Sequence, residues 1–426
     1  MKKLSQIHIF WVLGLAFVIG VGSILLLRPL LAGTDMAADR QTIALFVPFG
    51  CAGLCLLWAS VTNQLSKKNG ILILVMFVGL AFNFWSFFFE PIWHFYFDDP
   101  GRYSNYAHLI VSERTLWGAD AIGGFGINEA FYVDQPGYRY FLALMILCLG
   151  GEHRLLQLVN MGLFLTVIVV YLTTIANIER KVFLPIAVFL VLSLPYAANN
   201  ILEGLSEWLA VGLTMLSISL AIKRKHYWSV FLISLVPFVR QNYLLFAGLL
   251  IFLIVLAEDR YESRVRLGLI ALLMISLPLL HNLYFAGEWR FFTVNRGTLI
   301  HWDRGIGEVS EQVISVLWWK LKTYFGYWSS ADALRTFQAL LFAPLGSALL
   351  LFYLGSLIHW KRWVYFSMLL LVIGPTVIYG WGYFPRFVFA NQVILLSIVP
   401  LILSWRYLNP KGANTTLRGS TQIHSR

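Results

Sequence analysis

The sequence predicts an all-α fold, a polytopic transmembrane protein of about 12–13 membrane segments with two large extracytosolic loops. Three observations predict it. Of 426 residues, 59% are hydrophobic and only 12% charged, against about 25% charged in a soluble domain. Apolar runs recur from end to end, and the mean hydropathy is +0.72. The basic residues fall in short clusters between those runs: Lys2-Lys3, Lys67-Lys68, Arg180-Lys181, Lys223-Arg224-Lys225, Arg260 to Arg266 and Lys361-Arg362. Cytosolic Lys and Arg excess takes this form in a polytopic chain. The net charge of +11 therefore argues for a membrane and not for nucleic acid, since no basic patch carries interleaved base-stacking aromatics.

The elements follow in order. Met1-Lys2-Lys3 and the run Ile7–Leu27 have the shape of a signal peptide. The run is long enough to span and no small-x-small site follows it, so it reads as an uncleaved first helix. Further spans are expected at Ile43–Val61, Ile71–Phe89, Tyr138–Leu149, Leu155–Asn177, Val182–Ala198, Trp208–Ile222, Tyr227–Val239, Tyr243–Ala257, Leu267–Leu283, Phe337–Leu357, Val364–Tyr379 and Phe389–Leu403. Their length and lack of strict alternation indicate helices rather than barrel strands. Residues 1–408 form one membrane domain, and 409–426 a polar cytosolic tail. With Lys2-Lys3 inside, the loops at about 91–137 and 287–336 fall outside, as does Trp381–Arg386. One conflict stands: the charge clusters allow a single net crossing between Tyr138 and Asn177, where two apolar runs occur. The first run is then re-entrant or part of a broken helix, or the charge rule fails there.

Polar chemistry gathers in the first external loop. Asp98-Asp99 follow an aromatic exit from the membrane, Trp93-His94-Phe95-Tyr96-Phe97, and precede Pro100-Gly101-Arg102-Tyr103. Adjacent carboxylates suit a general base whose pKa its neighbour adjusts; Asp-Asp-Pro-Gly is equally good turn chemistry. Cys51 and Cys55, a helical turn apart, read as small core residues and not as a metal pair, as does Cys148. His301-Trp302-Asp303 reads as loop packing, and Val309 to Tyr327 as an interfacial amphipathic helix.

From this loop on, the sequence resembles the glycosyltransferase-C superfamily, in particular its mannosyl- and aminoarabinosyl-transferase-like branch. The resemblance is carried by Asp98-Asp99, by the stretch from Tyr103 to His108 and Leu109-Ile110-Val111, by Gln135-Pro136-Gly137-Tyr138, and by Arg154-Leu155 to Asn160. It continues through Glu203-Gly204-Leu205-Ser206-Glu207, Pro237-Phe238-Val239-Arg240-Gln241 and Tyr383-Phe384-Pro385-Arg386-Phe387. The chain departs from the commonest pattern in having three apolar runs before the acidic loop.

The resemblance implies a transferase that takes a sugar from a polyprenyl-phosphate donor and passes it, with inversion, to an extracytosolic glycan, lipid or protein acceptor. Asp98 or Asp99 is then the base, Arg240 and Arg386 bind the donor phosphate, and Tyr103, Glu203 and Glu207 contact acceptor or sugar. No cofactor or metal is required, although the Asp pair suits a divalent cation. The setting is a bacterial plasma membrane with the active site outside. Residue by residue, other readings stand beside these. Glu203 and Glu207 complement a helix N-terminus as well as a substrate. Arg240 interrupts an apolar stretch, where an unpaired charge is costly, or snorkels to the interface. Arg386 meets an anion or is an exposed loop cation. A transporter or flippase, or another protein of lipid-linked glycan processing, is the rival for the whole chain.

Overall fold

A computed structural model describes residues 99–114, 136–176, 204–286, 289, 349–355, 363–379 and 385–403, together with helical residues 186, 187, 190, 197, 200 and 201. Among the described residues the fold is all-helical, without a strand. Ten helices are named here: α1 Asp99–Glu113, α2 Pro136–Leu149, α3 His153–Ala176, α4 Glu207–Ile222, α5 His226–Val239, α6 Leu244–Ala257, α7 Tyr261–Ile275, α8 Leu277–Ala286, α9 Trp363–Tyr379 and α10 Pro385–Leu403. The three runs expected before Phe89, the loop expected at about 287–336 apart from Trp289, and the tail lie outside the described residues.

The centre is α4. Its small polar residues Thr214, Ser217 and Ser219 are buried with its apolar ones, and α3, α5 and α10 pack around it. Small side chains let helices approach closely, and hydroxyls hydrogen-bond within or between them. Ser217 Oγ donates to the Ser229 carbonyl of α5 at 2.9 Å, and Ser229 Oγ returns a bond to Ser217's at 2.8 Å. This reciprocal pair staples α4 to α5 as an antiparallel hairpin. On the far side α10 is fastened by tyrosines: Tyr171 donates to the Ser397 carbonyl and Tyr353 to that of Leu395. Pro400 has no N–H to offer the carbonyl between these two, four residues back, so the helix ladder is interrupted there.

The turns have local causes. Before α4, Gly204 adopts φ 72°, and the bonds from Leu205 N to Asn200 O and Gly204 N to Ile201 O close the preceding helical turn as a Schellman motif. The same pair of bonds recurs after α4, from Lys225 N to Leu220 O and Arg224 N to Ala221 O. There Arg224 takes the left-handed position at φ 56°.

Helices α2 to α6 match the expected runs Tyr138–Leu149, Leu155–Asn177, Trp208–Ile222, Tyr227–Val239 and Tyr243–Ala257 closely, but many are short; most of the expected run Val182–Ala198 lies outside the described residues. Helix α3 contains a stretch, Leu155–Ala176, long and apolar enough to cross a membrane; α7 and α8 pass the same test only together, bent by 42°. Among the described residues no others do. At 16 residues α4 and at 14 residues α5 reach about 21–24 Å, less than the roughly 30 Å of hydrocarbon. The expected span Leu267–Leu283 is thus broken at Ser276.

The loop expected after the third run holds α1. Asp99-Pro100-Gly101 opens this 15-residue helix instead of closing a turn. Proline is tolerated in a first helical turn, where its missing N–H is not needed.

Candidate functional site

Several helix ends meet at one end of the bundle, and each junction can be traced to particular residues. Tyr103 of α1 meets Tyr138 of α2 edge-on, ring centroids 5.3 Å apart. Trp208, near the start of α4, directs its Nε1–H at the Tyr138 hydroxyl at 3.4 Å. Gly137 lets α2 begin against the end of α5: a Cβ there would stand 2.7 Å from the Phe238 carbonyl oxygen. The turn after α5 reaches α10 through Tyr243, whose hydroxyl donates to Asn391 Oδ1 at 2.7 Å. His281 of α8 lies against Tyr140, centroids 5.9 Å apart.

At the middle of this junction is an ion pair. Arg240 Nη2 donates to Glu207 Oε1 at 2.7 Å, and both side chains are buried. Glu207 is in the first turn of α4, and Arg240 caps the C-terminus of α5. A carboxylate at a helix start and a cation at a helix end each complement their own dipole. The pairing also shields two charges that burial would otherwise make costly. The sequence assigns Arg240 either to the donor phosphate or to snorkelling at the interface; the structure pairs it with a buried carboxylate of the protein. Glu207 faces Arg240, and Ser206 before it provides no side-chain cap.

The remaining candidates are placed as follows. Asp99 begins α1, about one helical turn from buried Tyr103; its side chain lies outside the described residues, as does the whole of Asp98. Glu203 is also outside them. Arg386 is in the first turn of α10, at the end of the bundle that holds Tyr243 and Asn391, with its side chain outside the described residues. The structure thus gathers Tyr103, Glu207 and Arg240, with the backbone positions of Asp99 and Arg386, at one end. Among the described residues no group of three His, Cys, Asp or Glu side chains is arranged to hold a metal ion.

Two features were not singled out from the sequence. Arg139, in the first turn of α2, is 1% exposed, and its guanidinium lies 4.6 Å from the centre of the Tyr106 ring. A narrow crevice below Tyr138 is lined by Ser104, His153, Gln157 and Asn160, with Gln157 and His153 bonded at 3.1 Å. It has room for about one water, too little for a sugar ring. An Arg directly after the Pro-Gly-Tyr that opens an apolar run was the available signal for Arg139.

The opposite end is basic. The turns Lys223–Lys225 and Glu258–Arg260 lie side by side, joined by His226 Nδ1 and Glu258 Oε2 at 2.8 Å. Arg264 Nε donates to the Glu258 carbonyl at 2.6 Å. Desolvation alone would push the Glu258 carboxyl up. The hydrogen bond from His226, the amides of Arg260 and Asp259 and the nearby His226 charge outweigh it and hold the carboxyl below its ordinary value.

No protein-family model matches the chain, and neither does any curated protein or solved structure.

Proposed function

We propose that the chain is a polytopic membrane glycosyltransferase that moves a sugar from a polyprenyl-phosphate donor to an acceptor on the extracytosolic side of a bacterial plasma membrane. The observation that carries this reading is the gathering of Tyr103, Glu207, Arg240 and the starts of α1 and α10 at the end of the bundle opposite the basic turns. In a membrane, that arrangement leaves the Lys223 and Arg260 turns cytosolic by the positive-inside rule and the polar junction on the other face.

The membrane itself is supported by surface apolarity. Leu269, Leu272 and Leu273 of α7 are 60–69% exposed, and Leu245, Phe252 and Leu256 of α6 are exposed as well. Soluble proteins rarely show such contiguous faces, and lipid is their natural cover. Tyr227, Trp228, Tyr261 and Trp363 are exposed at the basic end, where an aromatic belt belongs. Helices too short to span alone are accommodated by local thinning or by flanking residues.

In the proposed reaction Asp98 or Asp99 takes the proton from an acceptor hydroxyl. The acceptor oxygen forms a bond to the anomeric carbon as the bond from that carbon to the phosphate oxygen breaks, and polyprenyl phosphate leaves. One displacement inverts the anomeric centre. Arg386 and the free amides at the start of α10 serve the phosphate. Arg240 holds Glu207 in a fixed orientation toward sugar or acceptor hydroxyls, with Tyr103 and Tyr138 beside it. The test is transfer of labelled sugar from a synthetic polyprenyl-phosphate donor by the purified full chain. Transfer that survives in the Asp98→Asn, Asp99→Asn double variant removes the base from the mechanism.

A flippase for a lipid-linked sugar is the second reading, and the bend between α7 and α8 with the buried Glu207–Arg240 pair favours it. Translocation of intact donor across vesicles, without cleavage, is the result that selects it.

A further inference from the structure

Arg139 holds a buried charge that its surroundings do not match. It is 1% exposed, and among the described residues its Nε and Nη1 have no hydrogen-bond partner. The groups close to it are the Tyr106 ring, Tyr140 and His281, and among the described residues no carboxylate pairs with it. Glu207, the carboxylate buried nearby, already receives Arg240. A ring face returns only part of what a guanidinium loses with its water. A buried donor left unpaired points to strain held for function or to an absent ion.

Its position indicates which ion. Arg139 lies in the first turn of α2, where backbone N–H groups have no partner within the helix and the dipole favours negative charge. In a guanidinium Nε and Nη2 form the two-pronged edge that donates to two oxygens of one group, and Nη1 faces the other way. A phosphate uses both prongs and keeps further oxygens for helix amides. We propose that Arg139 and the N-terminus of α2 form a phosphate-binding site, unpaired among the described residues and filled by the phosphate group of a ligand. The inference does not depend on sugar transfer: a phosphate bound without transfer leaves it standing and defeats only the transferase reading.

The test uses the full chain in detergent and measures thermal midpoint and binding with farnesyl monophosphate, inorganic phosphate and farnesol. Farnesyl phosphate should raise the midpoint and farnesol should not. A response to farnesyl phosphate alone identifies a lipid headgroup, and a response to both phosphates identifies a site for free phosphate. A response to neither overturns the proposal. Arg139→Gln should weaken phosphate binding by at least about tenfold while leaving the unliganded midpoint equal or higher. A structural anchor behaves in the opposite way: a lowered midpoint with phosphate binding unchanged overturns the site. Should Arg139→Gln fail to fold, Arg139→Lys decides. It keeps the charge but loses the two-pronged edge, so severalfold weaker phosphate binding is expected, and binding equal to wild type refutes the assignment.

Discussion

Glu207 and Arg240 are 33 positions apart, and each has a separate meaning in the sequence: a carboxylate at a helix start and a cation in an apolar run. Their contact at 2.7 Å makes them one unit. Removing a single partner from a buried pair strands the other charge, so Glu207→Ala or Arg240→Ala should each cost about 3–5 kcal/mol. The double variant should cost well under the sum. Chemical denaturation of the four proteins closes that cycle, and simple additivity would show that the pair is not coupled. Asp99 makes a different claim. If it is the base, Asp99→Asn should lower transfer by about 10²–10⁴-fold. Its loss from the first turn of α1 should cost only about 0.3–1 kcal/mol. Initial rates and a melting curve on one preparation separate the two effects. These residue types were legible as candidates. Their partners were not, because no helical or strand period relates position 207 to 240 or 139 to 106.

At the scale of the element, the runs Tyr138–Leu149, Leu155–Asn177, Trp208–Ile222, Tyr227–Val239 and Tyr243–Ala257 were legible nearly to the residue. Each is bounded by turn chemistry or charge, such as Gly150-Gly151 after α2 and Lys223-Arg224-Lys225 after α4. The start of α1 was not, since Asp-Asp-Pro-Gly serves a turn as well as a helix N-terminus and local chemistry does not decide between them. The turn after α4 carries a testable strain. Arg224 occupies a left-handed position that suits glycine, so Arg224→Gly should stabilise the chain by about 0.5–1 kcal/mol. A lower unfolding midpoint for that variant would mean that the arginine side chain contributes more than its backbone costs. The neighbouring His226–Glu258 contact sets a pH dependence. Because the Glu258 carboxyl is held below its ordinary value, its contribution is complete above the unfolded value of about 4.3 and fades as pH falls through the lower folded one. Wild type should therefore exceed Glu258→Gln in stability at neutral pH and converge with it in acid. A gap that widens on acidification contradicts that sign.

For the whole molecule, charge clusters and apolar runs led to a two-ended bundle, and the contact of the Lys223 and Glu258 turns at one end with Arg240 at the other has that form. The bend at Ser276 was not legible, since hydropathy counts apolar residues without reporting where a helix breaks, whereas the shortness of α4 and α5 was already present in the runs Trp208–Ile222 and Tyr227–Val239. Orientation is open to direct measurement. In intact cells, in a background freed of Cys51, Cys55 and Cys148, Asn105→Cys should react with a membrane-impermeant maleimide, and Lys225→Cys only after permeabilisation. The reverse pattern would put the proposed site on the cytosolic face.

The attachment of α10 has a consequence for biogenesis. This helix is made after every other helix described, yet it fills a slot lined by Tyr171 from α3, the turn residue Tyr243 and Tyr353, along the central helix α4. Until translation reaches Pro385, three hydroxyls and one side of α4 await a partner that has not emerged from the ribosome. A nascent chain in that state is a natural client for chaperones and proteases. A stop codon at Gly380 should therefore yield a rapidly degraded product, even with the earlier elements of the junction intact. Supplying residues 381–426 as a separate chain should restore its abundance if the slot remains open and specific.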